Sequence, residues 1–349
     1  MIISNKPNLI SSDSKSAWFR VIILFILAFV GTVGMWSVVV FIPDIEKEFG
    51  LDRGTSSLLY AFTMIGFGFG TVVIGKIYDK FGIKKPILFA TFVLILCYYS
   101  YSIIPFYWQL LVLQFFMGFA ASTFFGPAMA DISNYFNKQR GFALSIVASA
   151  NYVAGATWPL LIGYFLKFID WRTTHFWISI CLFIMLPLVL CLRNVSVDET
   201  ISQTIKQRYK DIKLNLSNNQ IQVLLMLAGI CCCVAMAMPQ VHMVALCVDN
   251  GFGLQVGTEI LAVMLYSGMI SRIVFGMISD RIGPILTLLL GSFLQMLSLT
   301  FFLPFSSEIS LYVVSLMFGL SQGGIVPAYA IIIRKYLPIK EAGLRVGLV

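Results

Sequence analysis

Long apolar stretches separated by short polar gaps run along almost the whole chain. Residues 21–42 and 86–129 contain no charged side chain, and only a turn at 105–108 interrupts the second stretch. A helix needs about 20 apolar residues to cross a bilayer, so the pattern predicts an all-α polytopic membrane protein. We predict ten complete spans and the start of an eleventh near Glu341. The ten spans are 18–42, 56–76, 86–104, 108–130, 141–166, 173–193, 220–243, 257–277, 284–304 and 309–332.

Basic residues fall mainly on one side of these predicted spans. Most of the 24 Lys and Arg residues lie in the N-terminal tail or in the gaps that share its side of the membrane. Loops rich in Lys and Arg remain in the cytoplasm, so we expect a multi-pass protein of the plasma (inner) membrane with a cytoplasmic N-terminus. The net charge of +8 is then a topology signal, and no nucleic-acid partner is expected.

The longest polar gap divides the chain into two halves. We predict a cytoplasmic tail at 1–17, a six-helix bundle at 18–193, a cytoplasmic linker at 194–219 and a second bundle at 220–349. The second bundle is incomplete, because we expect the chain to stop inside its eleventh span. The sequence is thus expected to be a fragment or a truncated product.

One short motif occurs in both halves, 201 residues apart. Gly75–Gly82 reads GKIYDKFG and Gly276–Gly283 reads GMISDRIG, so both copies follow the pattern GxxxD[KR]xG. An internal repeat of this length in a membrane protein indicates two parallel bundles, with a substrate bound between them.

This motif resembles the loop signature of the major facilitator superfamily, and the resemblance covers the whole chain. It implies two six-helix bundles, a transport cycle, no cofactor and no enzymatic activity. Arg140-Gly141, Asn151 and Pro159 in span five are most similar to the monocarboxylate and oxalate–formate branch, as are the residues around Arg272 in span eight. The chain departs from proton-coupled members of that branch at three positions, which are Gln114, Gly268 and Trp36.

The resemblance also implies a gating role for the repeated motif. Its residues would lock the two halves together on the cytoplasmic side when the carrier faces outward. The alternative is that the charges only set the topology. The residues concerned are Gly75, Asp79, Lys80, Gly82, Gly276, Asp280, Arg281 and Gly283.

Arg272 is the main candidate for binding a substrate. A charged group inside a span costs about 3 to 15 kcal/mol when it faces lipid, so a cavity or a partner is expected. No Asp or Glu lies well inside a predicted span to pair with it, and a free guanidinium suits a carboxylate. The alternative is that Arg272 snorkels to the nearby cytoplasmic face.

Other polar and aromatic residues are weaker candidates for the same site. Asn151 is expected to bind substrate or a neighbouring helix, and His242 is an interfacial histidine or a proton-linked group. Aromatic residues in the spans line a cavity or only pack. The candidates are Trp36, Tyr152, Trp158 and Tyr266.

The sequence therefore predicts a monomeric secondary or facilitative transporter that moves a small organic anion, a mono- or dicarboxylate, by alternating access. Exchange is favoured over proton symport, because no carboxylate inside a span is available to carry the proton.

Nucleotide-binding and metal-binding motifs are absent from the sequence, and the seven cysteines have no ligand spacing, so neither ATP nor a metal is expected. The alternatives are a carrier of a drug, sugar or other metabolite, and a truncated relic or sensor that transports nothing.

Overall fold

The structure is a computed structural model that describes residues 13–136, 138–166, 168–192, 216–304, 307–338 and 341–349. Within these ranges the ordered elements are all helical. The α-helices are α1 Lys15–Gly31, α2 Val33–Phe49, α3 Arg53–Phe81, α4 Lys84–Tyr101, α5 Tyr107–Ala121, α6 Gly126–Ile132, α7 Arg140–Phe165, α8 Trp171–Cys181, α9 Met185–Cys191, α10 Asn218–Asp249, α11 Leu254–Ile282, α12 Pro284–Thr300, α13 Glu308–Gln322, α14 Ile325–Tyr336 and α15 Ala342–Leu348. The predicted tail at 1–17 and linker at 194–219 fall largely outside the described residues.

Eight helical segments of the described chain are long and apolar enough to cross a membrane. They are Lys15–Ile42, Gly54–Phe81, Tyr107–Ile132, Arg140–Phe165, Trp171–Cys191, Asn218–Gln240, Glu259–Ile282 and Glu308–Tyr336. The predicted spans at 86–104 and 284–304 correspond to α4 and α12, which have 18 and 17 residues. The count of ten spans therefore stays a prediction, and so does the eleventh, where α15 has seven residues.

Several helix ends are encoded locally by side-chain caps and glycines. Asp52 accepts hydrogen bonds from the backbone N–H groups of Gly54 and Thr55 at the start of α3. Asp170 caps α8 in the same way through Thr173 N–H. Such caps satisfy backbone donors that have no partner within the helix.

Helix α2 continues beyond the predicted end of the first span. The sequence prediction stops at Ile42, whereas α2 runs to Phe49 and ends at Gly50, which has a positive φ of 63°. The difference arises because residues 43–49 are mostly polar or charged, so the apolar pattern ends there although the helix does not. Hydropathy marks the bilayer boundary and not the end of the helix.

Large apolar side chains cover the outside of the molecule. Phe69, Phe92, Leu96, Leu227 and Leu289 are each more than half exposed. A soluble protein rarely exposes contiguous apolar surface of this kind, so the distribution is that of a protein surrounded by lipid. Together with the eight apolar segments, it identifies a multi-pass integral membrane protein.

Two helix pairs make the most extensive contacts between the two halves. Helix α7 of the first half packs against α11 of the second half, and α15 of the second half packs against α3 of the first. Each pair contains one copy of the repeated motif, at the end of α3 or of α11. The halves are therefore joined at the face that carries the motif.

Candidate substrate site and gate between the two halves

The crossing of α7 and α11 brings two backbones into direct contact. A Cβ atom added at Gly276 would lie 2.7 Å from the carbonyl oxygen of Gly141, a separation that real Cβ atoms essentially never show. One turn later, the carboxylate of Asp280 accepts hydrogen bonds from Gly141 N–H at 2.7 Å and Phe142 N–H at 3.0 Å. These donors belong to the first turn of α7, where unpaired N–H groups and the helix dipole favour a negative charge.

The crossing of α3 and α15 repeats this arrangement. A Cβ atom at Gly343 would lie 2.7 Å from the carbonyl oxygen of Gly75. Asp79 accepts hydrogen bonds from Gly343 N–H at 2.8 Å and Leu344 N–H at 2.9 Å. Each aspartate of the motif thus holds the start of a helix that belongs to the opposite half.

The remaining motif positions end their helices or face outward. Gly82 and Gly283 have φ values of 72° and 87°, which glycine adopts without the steric strain that a side chain would bring. Lys80 and Arg281 are exposed at the ends of α3 and α11. The two glycines are thus needed for the turns, whereas the two cations bring charge to the membrane face.

Arg272 lies inside the molecule, between the two halves. Its side chain is 2% exposed, and its guanidinium Cζ is 3.6 Å from the ring centroid of Tyr152 on α7. One terminal nitrogen donates to the backbone carbonyl of Ala148, also on α7, whereas Nε has no hydrogen-bond partner among the described residues. Ion pairs found in the described chain are Arg20–Asp131, Arg172–Glu48 and Arg345–Glu341, and none of them involves Arg272.

Two glutamines of the second half lie beside Tyr152. A Cβ atom at Gly268 would be 3.0 Å from the Tyr152 ring and 3.4 Å from Gln322 Nε2, so these side chains are separated by little more than the glycine. Gln240 on α10 donates to Gln322 Oε1 at 3.1 Å. Gln322 is fully buried, and its Nε2 has no partner in the part of the chain that the structure describes.

The other predicted binding residues make contacts of different kinds. Asn151 precedes Tyr152 on α7 and accepts a hydrogen bond from Trp36 Nε1 at 3.0 Å. Trp158 instead donates to the Phe29 carbonyl at 2.9 Å and stacks on the Phe29 ring, so it packs within the first half. Tyr266 is 39% exposed on α11. The side chain of His242 lies outside the described residues.

A buried ion pair lies inside the first half, near the end of a membrane segment. Asp131 belongs to the segment Tyr107–Ile132 and is 4% exposed. Its carboxylate accepts hydrogen bonds from Arg20 Nε at 2.6 Å and from a terminal nitrogen of the same guanidinium at 3.1 Å. The sequence prediction ended this span at residue 130 and left Arg20 among the topology charges. No local pattern links two residues 111 positions apart.

Comparison with known proteins gives the family. Residues 24–349 match the sequence profile of the Major Facilitator Superfamily, which is more than half of the chain. The chain belongs to the major facilitator superfamily. Membership of this family indicates that the chain is a membrane transporter and not an enzyme. Groups of His, Cys, Asp or Glu that could hold a metal do not occur among the described residues.

Relatives of this major facilitator superfamily protein occur among fungal transporters. It is 24% identical to MFS-type transporter 1 of an Ophiocordyceps species over 301 residues, which are 86% of this chain and 66% of that protein. It is 23% identical to the agnestins efflux protein AgnL12 of Paecilomyces divaricatus over 310 residues, which are 87% of this chain and 70% of that protein. The chain thus spans about two thirds of the length of these relatives. The comparisons do not support the predicted monocarboxylate and oxalate–formate branch.

Solved structures share the fold at low sequence identity. The fucose:proton symporter FucP of E. coli aligns with a TM-score of 0.73 at 13% identity, over 96% of this chain and 88% of that one. The proton:xylose symporter XylE aligns with a TM-score of 0.73 at 11% identity, over 95% and 85% of the two chains. These likenesses establish the all-helical fold of the superfamily for this chain.

Proposed function

We propose that this protein is a secondary or facilitative transporter that moves a small organic anion through the plasma membrane by alternating access. The substrate would be a mono- or dicarboxylate, bound between the two halves with its negative charge at Arg272. The single observation that carries the proposal is the position of Arg272. It is a buried guanidinium at the contact between the halves, with an unpaired Nε and no ion pair among the described residues.

The burial of Arg272 weakens the snorkelling alternative. A snorkelling arginine keeps its guanidinium in the polar boundary of the membrane, whereas this side chain is 2% exposed and lies against Tyr152. The aromatic ring offsets part of the cost of burying the charge, since a desolvated cation–π contact contributes about 2 kcal/mol. A carboxylate would contribute more, because it can accept from Nε and a terminal nitrogen at once.

The motif contacts support a gate on the predicted cytoplasmic face. Asp79 and Asp280 hold the halves together there through hydrogen bonds to backbone N–H groups of the opposite half. An opening toward that face would have to break all of these contacts together. We assign the motif face to the cytoplasm, and the N-terminus with it, from the distribution of Lys and Arg.

Exchange or facilitated movement fits this arrangement better than proton symport. Asp131 is the buried acid that the structure adds to the sequence analysis, and its carboxylate is already held by Arg20. The contacts described for Arg272 and Gln322 are to amides, an aromatic ring and a backbone carbonyl, and none of these groups is a carboxylate or a histidine.

A second candidate function is the efflux of a larger metabolite. It is favoured by the names of the relatives, which include the agnestins efflux protein AgnL12 and a transporter of an ascochitine biosynthesis cluster. In that case Arg272 would serve mainly as a contact between the halves, and a negative charge on the substrate would not be required.

A counterflow assay with purified protein in liposomes separates these functions. The probes are radiolabelled propionate, pyruvate, oxalate and benzoate, together with the neutral amides propionamide and benzamide, and protein-free liposomes correct for leakage. We expect uptake of acids but not of their amides. Arg272→Gln should lower the uptake of the acids at least about 100-fold, because one charge-assisted pair contributes about 3 kcal/mol, and Arg272→Lys should retain part of it.

Trp158→Phe is the matched control, because it alters an aromatic residue that packs within the first half and should leave the uptake within about threefold. Equal uptake of acids and amides, or an Arg272→Gln variant as active as the parent protein, would contradict the anion proposal. The second candidate would then be tested in the same liposomes with agnestins, which the name of one relative gives as its substrate.

A further inference from the structure

Two N–H donors that have no partner among the described residues lie around the Tyr152 ring, at the contact between the halves. They are Nε of Arg272, which is 2% exposed, and Nε2 of Gln322, which is fully buried. A buried donor without an acceptor costs about 1 to 3 kcal/mol, and most such groups in folded proteins are paired. Two such donors around one aromatic ring indicate a site where a hydrogen-bond acceptor binds during the transport cycle.

The backbone segments that carry these two donors are in direct contact. Ser271, next to Arg272, donates its hydroxyl to the Leu320 carbonyl and accepts from Gly323 N–H at 3.2 Å. A Cβ atom at Gly323 would collide with the backbone nitrogen of Arg272, so the C-terminal end of α13 touches α11 at this point. Gln322 therefore lies on a segment that is in direct contact with the arginine.

The amide of Gln322 is also oriented by its surroundings. Its Oε1 accepts from Gln240 Nε2 at 3.1 Å, which leaves Nε2 as the free end of the group. Nε2 lies near Gly268, since a Cβ atom built on that glycine would be 3.4 Å from Nε2 and 3.0 Å from the Tyr152 ring. The glycine keeps the space between the amide and the ring small but not filled.

We propose that Arg272 and Gln322 bind one substrate together, the arginine taking the carboxylate and the Gln322 amide donating to a second acceptor oxygen next to it. The substrate class is then a carboxylate with an adjacent oxygen, such as a 2-oxo acid, a 2-hydroxy acid or a short dicarboxylate. This inference rests on the proposed function, and it assigns Gln322 and its supporting residue Gln240 a role in specificity.

Pyruvate and propionate test the inference, because they have the same charge and carbon number and differ in the 2-oxo oxygen. In counterflow with reconstituted protein we expect Gln322→Leu to lower kcat/KM for pyruvate about 10- to 100-fold and to leave propionate within about twofold. Gln322→Glu should impair pyruvate at least as strongly, because it replaces the donor by a second negative charge. Arg272→Gln should impair both probes.

Gln295→Leu is the matched control. Gln295 is another buried glutamine of the second half, 3% exposed, and it donates at 3.4 Å to the carbonyl of Cys232, away from Arg272. This variant should keep the parent ratio of pyruvate to propionate. Size-exclusion chromatography and thermal unfolding in detergent establish that each variant is folded.

Three results would overturn the inference while the proposed function stands. They are a Gln322→Leu variant with the parent ratio, an equal loss of both probes, and a Gln322→Glu variant that still prefers pyruvate. The last result would mean that the N–H group of the Gln322 amide is not what distinguishes pyruvate from propionate. If the folded parent protein moves no organic anion, the proposed function fails, and the pairing of Arg272 with Gln322 on an anion fails with it.

Discussion

The two helix crossings between the halves are alike at the motif and differ one turn further into the membrane. In both crossings a pair of glycines brings backbones into contact, and an aspartate accepts from two N–H groups at the start of the opposite helix. At the next turn, Thr71 on α3 occupies the position that Arg272 has on α11, 201 residues later. Thr71 donates to the Gly347 carbonyl at 2.9 Å, and Arg272 donates to the Ala148 carbonyl.

This difference separates two tasks within one repeated structure. At the motif, both crossings use glycines and backbone N–H donors. These suit a contact that must form and break at both crossings. The asymmetric part has a cation in one half only, with Tyr152 and Gln322 around it. The repeat thus extends to the contacts of the motif, whereas the binding chemistry that we propose depends on residues that the two halves do not share.

The largest effect is expected when a side chain is added at the symmetric glycines. Gly276→Val and Gly75→Val each place carbon atoms where the partner backbone lies, and neither backbone can move without separating the halves. We expect each variant to lower counterflow at least about tenfold, and to a similar extent at the two crossings. The uptake assay in liposomes measures this loss.

Gly68→Val is the matched control, since Gly68 lies on the same helix as Gly75 but nothing approaches within 4 Å of a Cβ built there. It should behave like the parent protein. If Gly75→Val and Gly276→Val are as active as Gly68→Val, the close contact of the halves is not needed for transport.

A smaller effect is expected at the motif aspartates. Asp280→Asn and Asp79→Asn keep a side-chain oxygen but remove the charge that faces the backbone donors. We expect each change to weaken its crossing by about 1 to 2 kcal/mol, so that the amides it holds exchange their hydrogens about 10-fold faster. Hydrogen–deuterium exchange should show this at Gly141–Phe142 for Asp280→Asn and at Gly343–Leu344 for Asp79→Asn.

Asp52→Asn serves as the comparison, because Asp52 caps α3 within its own half. Its effect should remain at Gly54 and Thr55 and should not reach either crossing. Exchange that speeds up equally at both crossings in either motif variant would show that the gate opens as one unit and not as two independent contacts.

The sequence predicted the repeated motif but only part of its surroundings. Gly75, Asp79, Gly276 and Asp280 could be identified because they recur at fixed spacing. The helices they touch could not be derived from the residues, since a local pattern holds no information about which distant backbone is adjacent. The same limit applies to Gln322, which looks like any polar residue within a span until its neighbours on α11 and α7 are known.

The smallest effect is expected where the two crossings differ. Thr71→Val removes one hydroxyl that donates to the carbonyls of Gly347 and Gly68, and a single neutral hydrogen bond contributes about 1 kcal/mol. Valine has nearly the same shape, so we expect uptake of pyruvate within about threefold of the parent value, whereas Arg272→Gln at the corresponding position should lower it at least about 100-fold. Parallel kcat/KM measurements on the two variants test the asymmetry directly. Equal losses would mean that both positions act only as contacts between the halves. The guanidinium of Arg272 would then be the longer of two structural bridges, and the substrate would have to be bound elsewhere.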